Sequence, residues 1–203
     1  MIKNVTFDFG QVLVKFSPAA MVRKRVFDET DAALLEKVVF DRLYWDQLDA
    51  GAIENEEVVA ACKTRLPERL WQVAEEIFYG WAFGLPPVEG MAELVAYVKN
   101  TLQKRVFLLS NISTYFVKNA AEYPVLDLFE DRVYSAVCGF VKPSAEIFQF
   151  LCDKNGILPS ETLFIDDSPI NIAGAEAFGI KGYLFDGDAE KLKKYLDEVC
   201  SEK

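Results

Sequence analysis

Val5-Thr-Phe-Asp8-Phe-Gly10-Gln-Val-Leu-Val14 opens the chain with an apolar, β-branched run that is interrupted by an aspartate and a glycine. Short runs of the same character recur at residues 105–109 (Arg-Val-Phe-Leu-Leu), 132–136, 162–165 (Thr-Leu-Phe-Ile) and 182–185. Several are almost continuously apolar, as strands buried on both faces are. From the second run onward they alternate with helical stretches at 113–122, 144–154, 169–178 and 188–200. The βαβα order predicts a doubly wound α/β domain built on a parallel sheet.

The connection between the first and second strands is too long for one crossover. From Ser17 to Gly84 it reads as helices only, the first opening with Ser17 as N-cap and Pro18 at the first helical position. Further helices are expected near Thr30, around Tyr44 and Trp45 and ending by Gly51, and from Asn55 and Pro67. So many helices predict an inserted, all-helical cap over residues 17–84, with 1–16 and 85–203 forming the α/β core and Leu85-Pro86-Pro87 a stiff return linker.

Composition narrows the function. A chain of 203 residues, 51% hydrophobic, can bury a sizeable core. Its formal charge of −10 and lack of a basic run argue against nucleic acid, whose binding depends on neutralising phosphates with Lys and Arg. No apolar run approaches the roughly 20 residues of a membrane helix, and Asp8 breaks the N-terminal apolar stretch, so neither a membrane span nor a signal peptide is expected. Cys62, Cys138, Cys152 and Cys200 are scattered, without a CxxC pair, and read as reduced thiols of a cytoplasmic protein, a monomer or homodimer. There is no histidine, so catalysis must rest on carboxylates, Lys, Ser, Cys or a metal.

In an open parallel sheet, ligands bind beyond the carboxyl ends of the strands. Asp8 ends the first strand, Ser110-Asn111 follow the second, Lys142 follows the third and Asp166-Asp167 follow the fourth. Singly, each has a plain structural reading. Asp8 and Gly10 suit a turn, Ser110 and Asn111 suit helix caps, and Ser168-Pro169 after the acidic pair is a good helix start. Jointly these readings fail, because three carboxylates at one rim repel each other and call for a hard cation such as magnesium. Lys142 stands just before the helix start Pro143-Ser-Ala-Glu-Ile-Phe, where the helix dipole disfavours a cation unless an anion is near. A carboxylate nucleophile, a metal and a lysine are the parts needed to make an aspartyl-phosphate.

The motifs Val5 to Val14, Leu108-Leu-Ser-Asn, Val141-Lys-Pro-Ser-Ala-Glu-Ile-Phe and Leu163-Phe-Ile-Asp-Asp-Ser-Pro through Gly179, in this order, resemble the haloacid dehalogenase-like (HAD) superfamily. The nearest resemblance is to the branch with a helical cap between the first two motifs, which includes phosphatases of sugar phosphates such as glucose 1-phosphate. The resemblance implies a Rossmann-like core and a magnesium-dependent phosphatase acting on a small phosphorylated metabolite. It makes Asp8 the nucleophile and a metal ligand, with the Gly10 carbonyl and Asp166 as further ligands. Asp167 supports the site through water or Lys142, or binds the metal directly. Ser110 and the backbone of Asn111 would hold the phosphoryl group, and Lys142 would balance charge on nucleophile and phosphate. Asn171 is expected to be a structural partner.

One position departs from the superfamily pattern. Most of its phosphatases carry a second Asp two residues after the nucleophile as general acid and base, and here that residue is Gly10. A phosphatase then needs a good leaving group or a proton from a cap carboxylate, for which Asp46, Asp49 and Glu54 are candidates. Arg42, Tyr44, Trp45 and Asp46 are candidate pocket residues of the cap, with packing of the cap's own core as the alternative, and Trp71 and Trp81 are assigned to packing. The rivals are a metal-independent dehalogenase, which has no use for Asp166-Asp167, and a catalytically weak phosphate-binding or signalling module. In a signalling receiver, however, the acidic pair would precede the phosphorylated Asp.

Overall fold

In the computed structural model, which describes residues 1–201, five parallel strands form one sheet in the order β3-β2-β1-β4-β5. They are β1 (Asn4–Phe7), β2 (Arg105–Ser110), β3 (Asp131–Tyr134), β4 (Thr162–Asp166) and β5 (Lys181–Leu184). Strand order reverses at β1, which pairs with β2 through Phe7↔Leu108 and with β4 through Phe7↔Ile165. The crevice beyond its carboxyl end is therefore the topological switch point, where doubly wound sheets bind ligands.

Alternation along the strands divides the core into two layers. Val106, Leu108, Leu163 and Ile165 join one apolar cluster with α6 (Met91–Asn100) and α11 (Ala189–Ser201). Phe107, Leu109 and Phe164 join another with α9 (Ala145–Asn155) and α10 (Pro169–Phe178). Side chains on a strand point to opposite faces in turn, so a strand buried throughout must feed two cores.

Five helices lie between β1 and α6: α1 (Pro18–Arg23), α2 (Glu29–Val39), α3 (Arg42–Asp49), α4 (Asn55–Arg65) and α5 (Trp71–Gly80). They pack round a third apolar cluster of their own, including Val22, Leu35, Val58, Ile77 and Phe78. Local signals start them as the sequence predicts: Ser17 Oγ accepts from the Ala20 N–H at 3.3 Å, and Glu54 and Glu57 form a capping box. The helix α6 is a departure, because no helix is expected between the linker and the second strand. Its N-cap is Gly90 at φ 77°, with no side-chain cap, so the usual start signal is missing. Among the described residues, no helix is long and apolar enough to cross a membrane.

Candidate active site

Each strand-end residue is delivered to the switch point by the sheet register. The Asp8 N–H donates to Ile165 O at 2.9 Å, extending the β1–β4 ladder by one residue and setting Asp8 beside Asp166. Carboxylate oxygens of Asp8, Asp166 and Asp167 lie within 4.8 Å of one another. Asp8 and Asp166 are buried, while Asp167 is exposed.

Lys142 joins this trio from below. Its Nζ donates to Asp8 Oδ1 at 2.7 Å, to Asp166 Oδ2 at 2.7 Å and to Leu109 O at 3.0 Å, which uses all three ammonium protons. Two neighbours fix its backbone. Asn111 Oδ1 accepts from the Lys142 N–H at 2.8 Å and Asn111 Nδ2 donates to Lys142 O at 3.0 Å. From the other side α10 comes so close that a Cβ on Gly174 would stand 2.6 Å from Pro143 O, a contact only glycine permits. The Asn111 side chain is thus committed to Lys142, and Ser113, not Ser110 or Asn111, caps the following helix α7 (Thr114–Asn119), accepting from the Phe116 N–H. Ser110 is buried and lines the cavity.

Asp166 is held by three further contacts. Its Oδ1 accepts from the Ser168 N–H at 2.8 Å, and Asn171 Nδ2 lies 3.1 Å from both oxygens. Asn171 is the structural partner expected of it. Ser168 occupies the N-cap position of α10 without a side-chain cap bond, and its own backbone N–H donates to the Asp166 carboxylate.

The electrostatics follow from burial and crowding. Burial pushes the Asp8 carboxyl up to about 6 against the pull of Lys142, and Asp166 adds to the rise. Partial desolvation raises Asp167 too, exposed though the residue is at the surface, again with Asp166 contributing. For Lys142 burial works the other way, but the two carboxylates outweigh it and hold its pKa above the ordinary lysine value. One ammonium thus serves two buried carboxylates with a third acidic group adjacent. The all-oxygen trio fits a hard divalent cation such as magnesium, which binds through a few carboxylates and keeps waters.

Asp8, Ser110, Lys142 and Asp167 open onto a cavity of about 760 Å³ whose other wall comes from the segment between β1 and α6. Phe16, Phe40, Trp45 and Trp81 form that wall, with Phe16–Trp45 centroids 5.5 Å and Trp45–Trp81 centroids 5.1 Å apart. Trp81, assigned to packing by the sequence, both packs and lines the cavity. Phe16 and Phe40 were missed, since nothing local marks a core aromatic that also faces a cavity. Tyr44 departs the other way, packing with the helical cluster under Arg65, whose guanidinium carbon lies 5.9 Å from its ring centroid. Trp71 is away from the cavity, its indole N–H bonded to Leu66 O. Arg42 and Asp46 line the cavity as an exposed ion pair at 2.7 Å, and the half-buried Asp49 lines it too. Gly10 lines the cavity too; Glu54 does not.

Comparison with known proteins identifies the family. The chain belongs to the haloacid dehalogenase-like hydrolase family, whose model matches residues 2–179. It is 26% identical over 198 residues to a D-ribitol-5-phosphate phosphatase of Bacteroides thetaiotaomicron, covering 94% of this chain and 95% of that protein. Its fold superposes with a TM-score of 0.74 on a predicted HAD-like family hydrolase from Porphyromonas gingivalis, at 27% identity and with both chains fully covered. A HAD family enzyme of Bacteroides thetaiotaomicron, solved in complex with magnesium and inorganic phosphate, matches with a TM-score of 0.70 and 25% identity over 95% of this chain and 99% of that one.

Proposed function

We propose that this hydrolase is a magnesium-dependent phosphatase of a small phosphorylated metabolite, a sugar or sugar-alcohol phosphate, working through an aspartyl-phosphate on Asp8. The observation that carries the reading is the convergence of Asp8, Asp166, Asp167 and Lys142 at the switch point beside one large cavity. Asp8, Asp166, Asp167 and the Gly10 carbonyl would hold the cation, which when bound neutralises charge on the phosphoryl oxygens. Asp8 attacks phosphorus, so that a bond forms from its carboxylate oxygen as the ester oxygen departs. Lys142 keeps Asp8 ionised and oriented and offers positive charge to the transferring group. Ser110 and the Asn111 backbone hold that group in place.

The helical segment 17–84 serves as the cap and 1–16 with 85–203 as the core. The aromatic wall then meets the carbon skeleton, while Arg42 and Asp46 meet hydroxyls. A metal-independent dehalogenase has no need of three clustered carboxylates. Phosphate release from a panel of sugar and sugar-alcohol phosphates with magnesium, together with trapping of a phosphorylated Asp8, tests the reading. No release from any ester, or release without a phosphoenzyme, would overturn it.

A further inference from the structure

An alkoxide cannot leave phosphorus readily without a proton, and the turn after Asp8 offers no acid, because Gly10 has no side chain. The other carboxyls of the cavity are committed. Asp8 and Asp166 are bonded to Lys142, Asp167 belongs to the acidic trio, and Asp46 pairs with Arg42. Asp49 differs: among the described residues its carboxyl has no hydrogen-bond or ion-pair partner, although it lines the same cavity as Asp8. We propose that Asp49 is the general acid of this site, delivering a proton to the departing ester oxygen in place of the acid that Gly10 lacks. The proposal rests on the phosphatase reading above.

The backbone holds Asp49 against the core. Its carbonyl accepts from Ser135 Oγ at 2.5 Å, and the same hydroxyl oxygen accepts from the Ile112 N–H at 2.8 Å, so α3 is tied to the ends of β2 and β3. Two residues on, Gly51 at φ 68° lets the chain turn so near Ala136 that a Cβ there would stand 2.7 Å from its carbonyl oxygen. The side chain is left free to serve the cavity. The charged groups acting on it are Arg42 and Asp46 from its own helix and Lys142 and Asp8 from the core. Burial dominates and pushes its carboxyl up to about 7, which keeps a proton on it near neutrality.

The step balances. As Asp8 bonds to phosphorus and the P–O ester bond breaks, the Asp49 carboxyl gives its proton to the leaving oxygen, producing an alcohol and an Asp49 carboxylate. Water then attacks the aspartyl-phosphate, its proton passes to Asp49, and hydrogen phosphate leaves as the Asp8 carboxylate is restored.

The test compares Asp49→Asn with wild type on 4-nitrobenzyl phosphate, an alkyl ester, and 4-nitrophenyl phosphate, whose phenolate leaves without a proton. Neither carries a hydroxyl, so loss of sugar recognition cannot imitate loss of the acid. The expected result is a fall of roughly 10²- to 10⁴-fold in kcat/KM, which reports phosphoryl transfer to Asp8 and not the later hydrolysis common to both esters, for the alkyl ester against less than about tenfold for the aryl ester. The alkaline limb of the alkyl-ester pH profile should disappear with it. Retained affinity for inorganic phosphate establishes that the variant is folded. Equal losses on both esters, or an unchanged alkaline limb, would overturn the assignment of Asp49 while leaving a phosphatase. A wild-type protein that releases phosphate from neither ester, nor from the sugar phosphates, overturns the phosphatase reading and the assignment with it.

Discussion

Lys142 Nζ lies 2.7 Å from Asp8 Oδ1, with the lysine side chain 1% exposed and the aspartate 11%. A pair so buried is weak evidence of net stability, but removing one partner alone is costly because the other charge is left unmatched. Lys142→Met keeps most of the stem and deletes the charge, and should lower stability by about 3–5 kcal/mol near pH 8. The cost should shrink toward pH 5, where Asp8, already pushed up to about 6, escapes by protonation. Urea unfolding at the two pH values measures this. A loss independent of pH would mean that packing of the stem, rather than its charge, holds the site.

Metal binding should depend on the acidic trio unequally. Asp166 is buried and fixed by Lys142, Ser168 and Asn171, whereas Asp167 is exposed. Asp166→Asn should abolish magnesium binding by calorimetry with the circular dichroism unchanged. Asp167→Asn should weaken it by only roughly 10- to 100-fold, a loss of the size seen for outer-shell partners, because an exposed carboxylate is readily replaced by a water on the cation. Phosphatase activity that persists in excess chelator would remove the cation from the mechanism.

Asp8→Asn should abolish turnover while the protein remains folded, because an amide is not the anionic nucleophile that the covalent step requires. Beryllofluoride, a mimic of the phosphoryl group, should bind the wild type in the presence of magnesium and fail to bind the variant. Near-normal turnover by Asp8→Asn would point to direct attack by water.

How far the site could be read from sequence depended on whether its residues are placed by local or by distant structure. Asp8, Ser110 and Asp166 end buried strands, and alternation plus strand-to-helix order brings such ends together in any doubly wound sheet. Lys142 was legible through a local conflict, a cation before a helix start, which two carboxylates resolve. The aromatic wall was not legible. Tyr44 and Trp45 are adjacent on α3, yet a helix turns roughly 100° per residue, so only one of them lines the cavity. Which one does so is decided by the docking of Asp49 and Gly51 onto Ser135 and Ala136, more than 80 residues away in sequence. The helix at Met91–Asn100 escaped for lack of a cap, although its buried Met91, Leu94, Val95 and Val98 follow helical spacing.

Asp49 should also register in stability. Its folded pKa, about 7, lies above the 3.8 of an ordinary solvated aspartate, so the folded protein retains a proton that the unfolded chain gives up. The stabilising effect of that proton is complete below pH 3.8 and is lost as pH rises toward 7. Asp49→Asn removes the cost of charging a buried carboxyl, and the variant should therefore melt higher than wild type at pH 8 and close to it at pH 4. Acidic sites of catalysis commonly carry such a cost. A difference in melting temperature that does not vary with pH would show that Asp49 is solvated in the folded protein.

The final prediction concerns Gly10. A Cβ built there meets nothing within 4 Å, and its φ is outside the left-handed region occupied by Gly51 and Gly90, so an aspartate fits without strain. If the cavity lacked an acid altogether, Gly10→Asp in the wild type would raise turnover of an alkyl phosphate far more than that of an aryl phosphate. With Asp49 supplying the proton, the expected gain in the wild type is small for both esters. The same substitution in the Asp49→Asn background should instead recover a large part of the roughly 10²- to 10⁴-fold loss on the alkyl ester, because it restores a positioned acid. In kcat/KM the aryl ester, whose departure needs no proton, should change less than about tenfold with either substitution. Steady-state kinetics of the four proteins, wild type, each single variant and the double variant, on the two esters complete the cycle. The two substitutions should be strongly non-additive on the alkyl ester, as expected of residues that supply one function between them. Additive effects would mean that positions 10 and 49 act independently, and the proton would then have to come from elsewhere in the cavity.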